Sequence, residues 1–263
     1  MTRVALCLSG QPRCYRDTFL FIYHNIIQPN QADVFFHTWF DESNLYMEKA
    51  HIGRGDCNLP PTTIQELVEL YKPKAYLVEK PKHFKKPNLL MNEKRIKSFM
   101  SMNPQLLHTP EQAKEFAIKN HLSALYSIFK SNELKETYAN ENGFVYDYVI
   151  RLRFDCFPKK PLIVSKYDPN CLHYQDLGHP DNLISDWIDF GSNLIMNIFS
   201  STYFFVEYYN SIQYLPLSER VPNTLEPSDI CGGWSEHLIR DVINHHKIPH
   251  RPAPLECILH PRA

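Results

Sequence analysis

The sequence has 263 residues, 43% of them hydrophobic and 22% charged, so it can bury a sizeable core and is neither a fibre nor a disordered chain. Its 28 Lys and Arg nearly cancel its 29 Asp and Glu, leaving a formal net charge of −1 and no overall field to draw in nucleic acid or an anionic membrane. Seven cysteines, an odd number without a C-x-x-C pair, argue against a disulfide framework and a structural zinc site, and predict reduced thiols in a cytoplasmic setting.

Residues 3–9 are an apolar run ending at Ser9-Gly10, which predicts a buried first strand, the run being too short for a signal sequence. From Asp17 onward Phe19, Leu20, Tyr23, Ile26 and Ile27 recur at helical spacing, and Pro29 is expected to stop that helix. Ala32 to Trp39 predicts a second strand. Thr62 or Thr63 then caps a helix holding Ile64, Leu67, Val68 and Leu70, and after Pro73 a third strand is expected over Ala75 to Val78. Lys80 to Pro104 is basic and polar without a clear period, as in a loop excursion. Pro110-Glu111 opens a helix to about Tyr138, Asn142-Gly143 ends it, and Phe144 to Leu152 predicts another strand. This alternation predicts an α/β fold with a mostly parallel, Rossmann-like sheet flanked by helices, whose ligands sit beyond the carboxyl ends of the strands.

Beyond Pro158 the expected elements are shorter: a strand at Cys171 to Tyr174, a loop at Asp186 to Gly191, and helices at 192–209 and from about Ser228 to His245. The whole of 1–263 reads as one domain, with a more irregular second half after residue 158. No segment reaches the roughly 18 apolar residues of a membrane span.

Four places carry chemistry. Ser9-Gly10-Gln11-Pro12-Arg13 follows the first strand: a small residue and a glycine let backbone N–H groups approach a ligand, and Gln11 and Arg13 can bond a base, ribose or phosphate. Its single glycine disfavours a dinucleotide fingerprint. In Tyr146 to Asp155, alternation predicts Arg151, Arg153 and Asp155 on one face and Ile150, Leu152 and Phe154 on the other, either a polar site at a strand's carboxyl end or a structural salt bridge. Asp186, Trp187 and Asp189 suit a sugar-binding loop with a carboxylate base, although Asp186 also suits a plain turn. Glu226, Asp229, Trp234 and Glu236 fit the first turns of a helix as well as a site. No G-x-S-x-G or H-E-x-x-H occurs, and a nucleotidyltransferase would show a glycine-rich phosphate loop or several acidic metal ligands that this sequence lacks.

The strings Arg3 to Arg13, Ala32 to Trp39 and Tyr146 to Asp155, with Ser123 to Asn132 and Asp186 to Gly191, resemble GT-A-like glycosyltransferases of bacterial polysaccharide gene clusters and of large DNA viruses of algae. The resemblance runs from residue 3 to about 245. It implies a GT-A-like glycosyltransferase domain whose nucleotide-binding half is 1–158 and whose acceptor-side half is 159–263. It further implies a nucleotide-sugar donor, a UDP-sugar with xylose the suggested sugar, and a glycan hydroxyl as acceptor. The donor would lie across Leu8, Ser9, Gly10, Gln11 and Arg13, with His37, Ser127 and Lys130 nearby and Arg151, Arg153 and Asp155 at the diphosphate. Where such enzymes carry Asp-x-Asp for a divalent metal, this chain has Arg153 in the first acidic position and keeps only Asp155 as a metal ligand there, with His260 as a further candidate. The expectation is that Mn²⁺ or Mg²⁺ assists without being essential, because guanidinium groups can neutralise the leaving diphosphate. For an inverting transfer the base is expected at Asp186, ahead of Asp189 and Glu236. The competing reading is a catalytically silent nucleotide- or carbohydrate-binding protein.

Overall fold

The computed structural model describes residues 2–47, 57–84, 96–97, 100–101, 107–176, 184–206 and 235–259. Its centre is a seven-stranded sheet in the order β10-β8-β9-β6-β1-β2-β5. The strands are β1 Val4–Gly10, β2 Asp33–Trp39, β5 Ala75–Glu79, β6 Tyr148–Arg153, β8 Leu172–Gln175, β9 Ile188–Ser192 and β10 His250–Ala253. β1 pairs in parallel with β2 and β6, β2 with β5, and β8 with β10, while β9 runs antiparallel between β6 and β8. Two-stranded pieces, β3 Tyr46–Met47 with β4 Cys57–Asn58 and β7 Cys156–Pro158 with β11 Cys257–Leu259, lie outside it. The fold is therefore the mostly parallel α/β sheet flanked by helices that the alternation of elements implied.

Side-chain alternation sends the sheet's two sets of residues into two cores. Val4, Leu6, Leu8, Phe36, Ile150 and Leu152 pack with α1 (Tyr15–Ile22) and α3 (Thr63–Tyr71), through Ile22, Leu67 and Tyr71 among others. Ala5, Cys7, Phe35 and Val149 face the 32-residue α4 (Pro110–Glu141), α5 (Asn193–Ser201) and α6 (Ser235–His245). α4 starts in a capping box: Thr109 Oγ1 accepts from Gln112 N–H at 3.2 Å while Gln112 Oε1 accepts from Thr109 N–H at 3.1 Å.

Two expectations need correction. Pro29 does not stop the first helix: a π-turn over Tyr23–Ile27 follows α1, Pro29 sits inside the short α2 (Gln28–Asn30), and the chain leaves at Gln31 with φ +48°. The backbone stays helical through Ile22, Tyr23, Ile27 and Gln28, so Pro29 lies two residues before the C-cap of one helical run, behind a π-turn that accommodates it. Asp186 to Gly191 is not wholly a loop, because Ile188 onward is β9. Gly191 serves close packing and not a turn, since a Cβ there would stand 3.1 Å from Ile195 Cγ2 and 3.3 Å from the Cys171 carbonyl oxygen. Among the described residues the second half contributes three strands to the main sheet, β8, β9 and β10. Of the helix expected over 192–209, α5 and a 3₁₀ turn at Thr202–Phe205 are present, and 207–209 lie outside the described residues. So do Glu226, Ser228, Asp229, Cys231, Trp234, His260 and most of the basic stretch after Lys80.

Candidate functional site

β1 has β2 on one side and β6 on the other, with chain connections departing in opposite directions. In open α/β sheets such a switch point leaves a crevice beyond the strand ends, and there ligands bind. The carboxyl ends flanking it are Ser9-Gly10 and Arg153, paired as Ser9↔Arg153 in the register. The glycine stretch after β1 and the arginine stretch of β6 thus meet, although more than 140 residues separate them.

The first polar layer is buried. Arg151 Nε donates to Ser9 Oγ at 3.1 Å, and its Nη1 donates to the Asp186 backbone carbonyl. The same Nη1 stands 3.7 Å from Asp189 Oδ2, with side-chain exposures of 4% and 0%. Arg151 therefore ties β1, β9 and the turn before β9 together. Among the described residues neither Asp189 oxygen has a hydrogen-bond partner. Burial, opposed by Arg151 and reinforced by Asp186, holds its carboxyl well above the usual range.

A second layer lies nearer solvent. Arg153 makes a fork to Asp155, Nε to Oδ1 at 2.8 Å and Nη2 to Oδ2 at 3.0 Å, and its Nη1 is 3.8 Å from Asp186 Oδ1. The Arg153 side chain is 26% exposed, so it can still meet a ligand. Burial opposes its charge, but Asp155 and Asp186 outweigh that and hold its proton more firmly than in free arginine. Asp155 lies in the turn after β6, beyond the strand's alternation, where it bends back onto Arg153.

Asp186 meets α6 through Ser235, whose hydroxyl lies 3.4 Å from Asp186 Oδ2 and 3.1 Å from Glu236 Oε2. Ser235 N–H donates to His121 Nδ1 of α4 at 3.1 Å, fixing the start of α6 against the long helix. Glu236 is partly exposed, and its carboxyl is raised to about 7, first by burial and then by the Asp186 charge, with Ser235 and Arg153 pulling the other way. Ser235 and His121 went unmarked in the sequence, since neither stands in a motif and 114 residues separate them.

The remaining candidates form a neighbouring group. Gly10, at φ +109°, donates its N–H to Ser127 Oγ at 2.7 Å and accepts from Thr38 Oγ1 at 2.9 Å. His37 is fully buried, with Nδ1 2.8 Å from Ser127 Oγ and Nε2 2.9 Å from Glu79 Oε2. Burial lowers its pKa to about 4, so the ring is neutral near pH 7 and the Nε2 proton faces the Glu79 carboxylate. His37 and Ser127 thereby brace the glycine turn from beneath. Gln11 Oε1 accepts from Arg13 Nε at 2.5 Å, and Arg13 is buried. The Leu8 side chain belongs to the core on the α1 side, and its backbone lies within the sheet opposite Phe36 and Leu152. Lys130 pairs with Glu133 at 2.6 Å and lies 5.8 Å from the Tyr126 ring centroid.

The metal expectation rested on Asp155. Both of its oxygens engage the Arg153 guanidinium, and among the described residues no group of three or more His, Cys, Asp or Glu is placed to hold a metal ion. At Asp155 a divalent ion would find one protein carboxylate, so most of its oxygen ligands would have to come from a bound diphosphate and water.

No protein-family model matches the chain, and no curated protein matches it. Among solved structures it is similar to a glycosyltransferase involved in the glycosylation of the major capsid of PBCV-1, with a TM-score of 0.34, 9% identity, and coverage of 95% of this chain and 81% of that one. Likeness at this level supports no assignment of activity.

Proposed function

We propose that the protein is a GT-A-like glycosyltransferase that moves a sugar from a nucleotide-sugar donor, a UDP-sugar, to a glycan hydroxyl with inversion. The observation that carries this reading is the guanidinium and carboxylate layer at the switch point, where a partly exposed Arg153 stands beside carboxyl groups suited to receive a proton. A nucleoside diphosphate leaving the sugar develops negative charge, and a pre-oriented guanidinium offsets it without reorganisation. Arg153 takes that role here, with Asp155 holding its fork in place. Ser9 to Arg13 offer the donor a turn braced by Ser127 and His37.

Calorimetry and thermal shift against UDP, GDP, CMP and their sugars, each with and without Mn²⁺, test the reading. Micromolar binding of one nucleoside diphosphate raises the melting temperature through linkage, and turnover then continues in EDTA with a modest gain from Mn²⁺. Silence toward every nucleotide overturns the reading. Complete loss of turnover in EDTA with full rescue by Mn²⁺ overturns the guanidinium's role.

A further inference from the structure

Three carboxyl groups converge near the two arginines: Asp186 ahead of β9 and Asp189 within β9, with Arg153 and Arg151 respectively, and Glu236 on the first turn of α6. They differ in access. Asp189 is fully buried inside a central strand and turned to Arg151, so no acceptor hydroxyl can reach it. Asp186 has an 11% exposed side chain, with Oδ1 3.8 Å from Arg153 and Oδ2 at the Ser235 hydroxyl. Glu236 is the more open carboxyl, and it meets the Ser235 hydroxyl at 3.1 Å.

Resting on the transferase reading, we propose that Glu236 is the general base of the transfer and that Asp186, joined to it through the Ser235 hydroxyl, is a positioning residue. Ser235 has one hydroxyl proton for two carboxylates, so at any moment one of the pair lacks it. Asp186 has Arg153 beside it as well. Glu236 has no cation within salt-bridge distance among the described residues, and burial and the Asp186 charge disfavour its ionisation. The groups facing it are Asp186 and Asp189 from the β9 side, Arg153 from β6 and, through Ser235, His121 from α4. A base with affinity for a proton near neutral pH takes one efficiently while remaining partly ionised.

The step balances as a displacement. The acceptor hydroxyl gives its proton to the Glu236 carboxylate while its oxygen bonds to the anomeric carbon. The bond from that carbon to the phosphate oxygen breaks, and its electron pair leaves with the nucleoside diphosphate, whose charge Arg153 meets.

The test takes the full-length protein and its Glu236→Gln and Asp186→Asn variants. Carboxyl ¹³C NMR needs no substrate: a resonance titrating near neutral pH should vanish in Glu236→Gln and move to lower pH in Asp186→Asn. Release of nucleoside diphosphate from UDP-, GDP- and CMP-sugars should fall about 10²- to 10⁴-fold in Glu236→Gln at every pH. Asp186→Asn should keep measurable turnover with its acid limb displaced to lower pH, which a merely structural role would not produce. Should Glu236→Gln fail to fold, Glu236→Asp replaces it, with reduced turnover and the acid limb retained. If Glu236→Gln turns over within a few-fold of wild type while Asp186→Asn is dead, the base is Asp186 and the assignment is overturned, with glycosyl transfer left standing. A wild-type chain that neither binds nor cleaves any nucleotide sugar removes the transferase reading, and the base role with it.

Discussion

Arg151→Met isolates the buried ion pair beneath the site. The substitution keeps roughly the same length but removes the guanidinium that reaches Ser9 Oγ, the Asp186 carbonyl and Asp189. Breaking a buried pair by deleting one partner costs about 3–5 kcal/mol, a large share of the roughly 5–15 kcal/mol that holds a typical domain folded. The loss should depend on pH with a definite sign. The Asp189 carboxyl is already held above its unfolded value, so its contribution is fully present below the ordinary carboxylate range and declines as pH rises through the folded value. Arg151 opposes that upward displacement, so removing it pushes the carboxyl higher and concentrates the penalty at neutral and alkaline pH. Urea unfolding at pH 8 and pH 5 measures both effects, with the larger loss expected at pH 8. Adding Asp189→Leu should recover most of the stability, because an apolar replacement of a buried pair is often neutral. An Arg151→Met cost below about 1 kcal/mol, or a double variant less stable than the single one, would refute this reasoning.

Two further outcomes can be checked. Gly10→Ala meets nothing within 4 Å, so its effect comes from the backbone alone; at φ +109° an alanine is strained, and the variant should lose about 1–3 kcal/mol in urea unfolding and weaken nucleotide binding in calorimetry. His37, with its folded pKa depressed from 6.5 to about 4, contributes stability that is present above pH 6.5 and lost as pH falls through 4; the decline, up to about 3 kcal/mol, should be smaller in a His37→Gln variant followed by thermal melts.

Comparing these residues with the sequence shows where local information sufficed. The apolar runs of β1 and β2, the spacing of α3 and the proline at the start of α4 announce themselves because burial on two faces, or on one stripe, imposes a period on neighbouring residues. β10 and β11 went unread, being four and three residues long, with Pro252 inside β10. Pro29 and Gly191 misled for a related reason: each usually marks an ending, but Pro29 is accommodated by a π-turn and Gly191 by the approach of Ile195.

The sequence by itself determined the layered α/β plan and the residue types of the site, since hydrophobic period and the chemistry of Arg, Asp and Gly are properties of short stretches. Tertiary structure alone decided which of those residues share a crevice and what each can do. Antiparallel insertion of β9 buries Asp189 against Arg151, the turn after β6 brings Asp155 onto Arg153, and the docking of α6 on His121 sets Glu236 beside Asp186. Those outcomes depend on strand order and on contacts across as many as 114 residues, for which no local pattern carries a signal.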